Sequence, residues 1–326
     1  MNQADLQSDW AKPFAGAAAA LAGHVRRTPL MRSNGLSERV GAPVFLKLEN
    51  LQVSGSFKAR PAFSSLLANL DRARAVGVVT SSSGNFGAAV SFAARRLGVR
   101  ATIVAAAATS SFKLDLIRRF GAEIVFVGPE YEARQRGVDE IRERTGAIEI
   151  HPHSSIETIA GDSTVGLEIV TELPGAGLVV FPTSGGGLLS GGALAMRAQG
   201  YKGRIAGCQS TGNPAMAVSF RAGRAMTVKG PGTICDGLVA TTPGERPFGI
   251  IKETVDEVVA VDDAQALEAL AVLAAEERLI VEPSSATGIA ALLTGALDPK
   301  GRPVAVVLSG GNVDPVRWAA WASRKG

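Results

Sequence analysis

Lys58 stands inside the run LQVSGSFKAR, residues 51–60, after a strand-like segment and directly beside Phe57. Small residues let a bulky planar group approach the backbone, and a phenylalanine shields the amine from bulk water. An amine so placed is suited to act as a nucleophile or base rather than as a solvated charge. A second stretch, SSSGNFGAA (Ser81–Ala89), offers N–H groups and hydroxyls at the start of a helix. It can hold a carboxylate, or one of its serines can simply cap the helix. A third, PTSGGGLLSGGALA (Pro182–Ala195), is a phosphate cradle or a tight turn. Ser190 stands where a dinucleotide G-x-G-x-x-G would end, and no G-K-[ST] follows, so neither of those phosphate motifs is present. The fourth, VVLSGGN (Val306–Asn312), ends an apolar run on Ser309, either as a polar group at a strand's carboxyl end or as a plain turn.

The elements that must position these groups alternate. VGVVT (76–80), ATIVAA (101–106), AEIVFVG (122–128) and AIEIHP (147–152) read as strands, separated by the helices GNFGAAVSFAARRLG, SSFKLDLIRRFG and YEARQRGVDEIRERTG. The pattern resumes with the strands GLVVFP, RIAGCQS, EVVAVD and PVAVVLSGG. Between them lie the helices LSGGALAMRAQG, PAMAVSFRAG and AQALEALAVLAAEERL. Short apolar strands alternating with helices predict βαβ units and parallel sheets, in two α/β lobes. The site is then expected between the lobes, at the carboxyl ends of the strands.

Composition narrows the class. The chain has 326 residues, 46% hydrophobic and 20% charged, enough for a substantial core. A net charge of +4 with no basic block gives no nucleic-acid footprint. Two cysteines, Cys208 and Cys235, form no disulfide framework and suit a reducing cytoplasm. The start MNQADLQSDW lacks a signal-peptide pattern, and the apolar run 15–22 is too short for a bilayer. A soluble cytoplasmic protein with a small-molecule substrate is expected.

In order, the four motifs resemble the fold type II pyridoxal-phosphate enzymes, and among them the threonine/serine dehydratase and serine racemase branch. The resemblance runs from RRTPL (Arg26–Leu30) through KLENLQVSGSFKARPA to LSGGNVDP. It implies the two-lobed parallel-sheet α/β fold of the tryptophan synthase β-subunit type. Residues 1–53 and 152–326 would make the large cofactor-binding domain, and 54–151 the small one. Lys58 would carry pyridoxal 5′-phosphate as a Schiff base, with Phe57 beside the ring. Asn85 would meet the ring hydroxyl, and Ser309 the ring nitrogen. Ser184, Gly185, Gly186, Gly187 and Leu188 would hold the phosphate. Ser82, Ser83, Gly84 and Asn85 would clamp the substrate carboxylate. A neutral serine at the ring nitrogen favours loss of a β-leaving group over transamination. Lys58, once released, would take the α-proton. The implied reaction is α,β-elimination of a β-hydroxy amino acid (serine, threonine, 3-hydroxyaspartate or phenylserine type) to a 2-oxo acid and ammonia. Relatives are commonly homodimers.

Departures from the family pattern mark what is particular here. Pro61 stands for a glycine after the lysine, and Ser184 for the first of four glycines. Phe86 replaces a histidine beside the carboxylate loop, which would make that side less polar. HPH (151–153) puts His153 either toward the substrate's β-substituent or in a loop, partly exposed. AGDST (160–164) adds Asp162 near the site. Gln209 and Ala215 fall where relatives carry the Glu and Asp of a divalent-metal site, so no metal is expected. With no long regulatory segment after SGGNVDP, a catabolic or specialised role is expected rather than isoleucine biosynthesis. The alternative activity is an amino-acid racemase, because Ser83 occupies the position of the second base in racemase relatives. A binding or regulatory protein that merely kept the fold is the third reading, opposed by the intact Lys58, Asn85 and Ser309.

Overall fold

The computed structural model describes residues 14, 16–82, 84–107, 109–128 and 130–323. Among them ten strands follow in chain order: β1 (Leu30–Ser33), β2 (Val44–Lys47), β3 (Val78–Thr80), β4 (Ala101–Ala106), β5 (Glu123–Val127), β6 (Ile148–Glu149), β7 (Leu178–Pro182), β8 (Arg204–Ser210), β9 (Glu257–Val261) and β10 (Val304–Val307). They form two sheets, one of six strands in the order β1-β2-β10-β7-β8-β9 and one of four in the order β5-β4-β3-β6. Every pairing is parallel except that of β1 with β2.

The large sheet is covered on both faces, as a parallel sheet must be. Strand periodicity divides its side chains. Val180, Val304 and Val306 enter one core with Ile289 and Leu292 of the helix Pro283–Leu293. Val179, Phe181, Ala305 and Val307 enter the other with Leu189 and Met196 of the helix Gly187–Ala198. The small sheet divides likewise, Val78 and Ile103 to one side, Val79 and Val104 to the other.

Strands and helices lie where the alternation predicts, with three instructive differences. No strand leads directly into Lys58: β2 ends at Lys47, and residues 49–51 form a 3-10 turn. The expected helix 264–279 is α-helical only as Asp263–Val272. It then widens into a π-helical turn, Leu273–Glu277, closed by Arg278 at φ 57°. The helix Ile156–Glu172 is a large element with no amphipathic stripe, because it is buried nearly all round. Its small residues permit close crossings. A Cβ on Gly161 would stand 2.6 Å from the Arg60 carbonyl, and Gly166 lies directly against Gly192.

This topology places chemistry at strand ends. β3 leads to Ser82 and Asn85, β7 to Ser184–Gly187, and β10 to Ser309. All three are carboxyl ends of parallel strands, the edge where open α/β sheets place their ligands. Among the described residues no helix is long and apolar enough to cross a membrane.

Candidate active site

Lys58 immediately precedes the helix Ala59–Leu67. Its Nζ donates to the Pro152 carbonyl at 2.8 Å, with the Phe57 and Phe86 ring centroids at 4.7 and 5.4 Å. Burial lowers its pKa below the usual lysine value, and the Asp162 carboxyl opposes that shift. The amine is therefore readier than an exposed lysine to shed its proton.

The lysine loop is laced to the end of β10. Phe57 N donates to Ser309 O and Gly311 N to Gly55 O, both at 2.9 Å. Ser56 and Gly310 form an isolated antiparallel bridge. Asn312 Nδ2 donates to Ser54 O at 2.9 Å and to Asn85 Oδ1 at 2.8 Å. Gly55 has φ +78° and lies against the Asn312 amide, so no side chain fits there.

Asn85 begins the helix Asn85–Leu97, and its Nδ2 donates to both Glu282 oxygens at 2.9 and 3.0 Å. Glu282 is the residue before Pro283, the first residue of its helix. Burial, with Asp236 adding, pushes its carboxyl up to about 7, against the Asn85 hydrogen bond and Lys113. Ser309, 5% exposed, has its Oγ 3.0 Å from Ser285 Oγ. Ser285 is anchored in turn, donating to Gly310 O and accepting from Gly310 N, each at 2.7 Å. Phe86 is buried, while Ser82 and Gly84 are half-buried at the same strand end. Ser83 lies outside the described residues.

The turn after β7 admits no side chain. Gly186 sits at φ +100°. A Cβ on Gly185 would stand 2.6 Å from the His153 ring, on Gly186 2.8 Å from Met216 Cε, and on Gly187 2.7 Å from Asp162 Oδ2. Gly187 and Leu188 open a helix whose first N–H groups have no intrahelical partner. Ser184 Oγ is engaged, accepting from Ala240 N at 3.0 Å. His153, placed in sequence either toward the β-substituent or partly exposed in a loop, has its ring against Gly185, and burial drops its pKa to about 3, with His151 and Lys58 contributing. By accessibility it is only half-buried in its loop, so the partly exposed loop histidine remains compatible with this contact.

Two charged groups lie behind the site, one around Arg60, which the motif reading passed over, and one at Asp162, which it marked only as a departure from pattern. Arg60, 1% exposed, donates to Glu49 Oε1 and Oε2 at 2.7 and 2.9 Å and to Glu168 Oε1 and Oε2 at 2.6 and 2.9 Å. Burial alone would raise Glu49, but Arg60's charge and hydrogen bonds prevail and hold it below the usual carboxylate range. Asp162 is 0% exposed, and neither of its oxygens has a hydrogen-bond partner. The signal that finds Arg60 and Glu49 is charge within otherwise small and apolar runs; for Glu282 it is a carboxylate preceding a helix-starting proline.

Gln209 is engaged within the fold. Its Oε1 accepts from Met216 N at 2.9 Å and Ala217 N at 3.1 Å, capping the helix Ala215–Ala222. No group of three or more His, Cys, Asp or Glu is placed to hold a metal among the described residues.

A side-chain-free glycine turn at a helix start, a buried amine and orphaned polar atoms on Asp162 and Thr183 fit an acceptor-rich phosphate with an aldehyde-bearing ring. Residues 21–310 match the family described as pyridoxal-phosphate dependent enzyme, and the chain belongs to that family. It is a pyridoxal-phosphate enzyme of the two-sheet fold type II class. The chain is 39% identical over 290 residues to the L-threonine ammonia-lyase of Thermotoga maritima, covering 89% of this chain and 72% of that one. It is 36% identical over 296 residues to the catabolic L-threonine dehydratase TdcB of Escherichia coli, covering 90% of each. The structure of maize serine racemase superposes with a TM-score of 0.91 at 35% identity, covering 95% of each chain.

Proposed function

We propose that the chain is an ammonia-lyase that removes water from a β-hydroxy amino acid and yields a 2-oxo acid and ammonia. The observation that carries this reading is the lacing of Lys58, Asn85 and Ser309 into one cluster beside the glycine turn, in a chain 36–39% identical to threonine ammonia-lyases. Pyridoxal phosphate supplies the electron sink. The Lys58 amine, held by Pro152 and kept from full charge by burial, takes the α-proton. Ser184, Gly185, Gly186, Gly187 and Leu188 would hold the phosphate, with His153 walling the turn at Gly185. Asn85 would hold the ring hydroxyl, and Ser309, whose Oγ lies 3.0 Å from Ser285 Oγ, would serve the ring nitrogen as a neutral hydroxyl. Ser82, Ser83 and Gly84, with Asn85, clamp the substrate carboxylate, and Phe57 and Phe86 wall the amine.

We further propose that the lobes divide as 1–53 with 152–326 and 54–151, because all four strands of the small sheet lie between residues 78 and 149. Cys208 and Cys235 are buried free thiols, which suits a cytoplasmic enzyme. A homodimer is proposed as well; Leu51 and Ile280 are exposed apolar residues, and Asn50, next to Leu51 in the chain, donates its Nδ2 to Ile280 O.

Racemisation is the second reading, favoured by the likeness to maize serine racemase. The test is 2-oxo acid and ammonia release from both enantiomers of serine and threonine and the stereoisomers of 3-hydroxyaspartate and phenylserine. Strong release from one member is expected. No release from any, with chiral analysis showing inversion of recovered serine, would replace the lyase with a racemase.

A further inference from the structure

Asp162 has no hydrogen-bond partner, but it has a direction. Its Oδ2 lies 2.7 Å from the point where a Cβ on Gly187 would stand, and its own Cβ 3.1 Å from the corresponding point on Gly191. The carboxyl of the helix Ile156–Glu172 is thus aimed at the first turn of the helix Gly187–Ala198. Fully buried and unbonded, an ionised carboxylate is strongly unfavourable.

The groups facing it do not answer that need. Arg60, on the helix Ala59–Leu67, is saturated by Glu49 and Glu168. Lys58, before that helix, donates to Pro152. Glu49, from the turn 49–51, is itself anionic and repels. His153, whose Cβ lies 3.1 Å from the same Gly187 point, is held neutral by burial. Burial raises the Asp162 carboxyl to about 7, against the pull of Lys58 and Arg60. Near neutrality it therefore retains much of its proton. A protonated carboxyl is a hydrogen-bond donor, and so are the N–H groups of the glycine turn. What suits all of them is a group of acceptors.

We propose that Asp162 binds the cofactor's phosphate as a neutral, proton-bearing acid, so that losing this proton weakens the hold on a phosphate monoester. The proton stays on the carboxyl and is shared with a phosphate oxygen; no covalent bond changes. Ionised, the carboxylate and a phosphate dianion repel each other across the glycine turn. The inference rests on the phosphate role proposed for Ser184–Leu188.

The test is calorimetric titration of the cofactor-free full chain with pyridoxamine 5′-phosphate, which has no aldehyde to react with Lys58, and with pyridoxamine itself. Between about pH 6 and about pH 8.5, wild-type affinity for the phosphate ester is expected to fall about tenfold or more beyond any fall in Asp162→Asn, which cannot ionise. Pyridoxamine binding should be indifferent to the substitution. Parallel pH profiles in the two proteins, with the phosphate ester still preferred, overturn the role of Asp162 and leave the phosphate turn standing. Equal affinity for the two ligands removes the phosphate turn, and the proposal with it. Should Asp162→Asn not fold, proton uptake by the wild type is read from the dependence of binding heat on buffer ionisation. Uptake near pH 8.5 with the phosphate ester but not with pyridoxamine supports the proposal, and equal uptake overturns it.

Discussion

Asp162 and Glu168 lie on the same buried helix and meet opposite surroundings. Glu168 receives two Arg60 hydrogen bonds and pairs with Lys47 Nζ at 2.6 Å. Asp162 receives none. Lys47 and Arg60 are essentially inaccessible, and each finds oxygen partners within the fold. The Glu168 cluster is a closed electrostatic unit, complete in the protein alone. Its work is mechanical, because Arg60 stands two residues from Lys58 and pins the start of that helix to the 49–51 turn. The Asp162 region is open, with a low-pKa amine, an unpaired acid and a turn of N–H groups. Closed clusters build the frame, and open ones await a ligand.

The sharpest way to break this contrast is at its reactive end. Lys58→Ala should lose covalent cofactor attachment and reduce elimination by about 10³-fold or more, read by cofactor mass retained after borohydride reduction and by ammonia release. Substantial elimination in that variant would refute the role of the amine. At the closed end, Arg60→Ala strands the Glu49 carboxylate and should cost about 3–5 kcal/mol in urea unfolding of the cofactor-free chain. A loss near zero would mean that the cluster is not mechanical.

A third experiment reads the buried carboxyls by pH. Asp162 and Glu282 are both raised to about 7, so the folded chain binds more protons than the unfolded one. Their contribution is fully present below the ordinary carboxylate range and is lost as pH rises through about 7. Asp162→Asn should remove its share of that loss. Wild type is then expected to weaken relative to the variant by on the order of 1 kcal/mol per pH unit within that window, read from unfolding at a series of pH values. His153, lowered to about 3, acts oppositely, and its contribution is lost as pH falls below its ordinary range. The smallest effect is expected at Gln209. Chelation followed by Mg²⁺ should change turnover less than about twofold, since an amide capping a helix offers an ion no charged ligand.

Much of this was legible in the residues, for identifiable reasons. Parallel strands such as ATIVAA carry continuous apolar runs, and β4 occupies that very span. The helix Ile156–Glu172 was hidden, because burial on all sides erases the periodicity that reveals surface helices. Lys58, Asn85, the glycine turn and Ser309 stood out by motif. The lacing of the lysine loop to Asn85 through Asn312 did not, since residues 54, 85 and 312 meet only in three dimensions. Asp162 was visible as a departure from pattern, but its lack of a partner could be learned only from its neighbours.

The position of β10 sets an order of events during synthesis. That strand lies between β2 and β7, and residues just beyond it bond back to the 54–57 loop. Lys58 emerges early from the ribosome, yet its surroundings stay incomplete until β10 has entered the middle of the sheet and residues 309–312 have met the 54–57 loop. A fragment ending before β10 would expose the lysine without the loop that holds it.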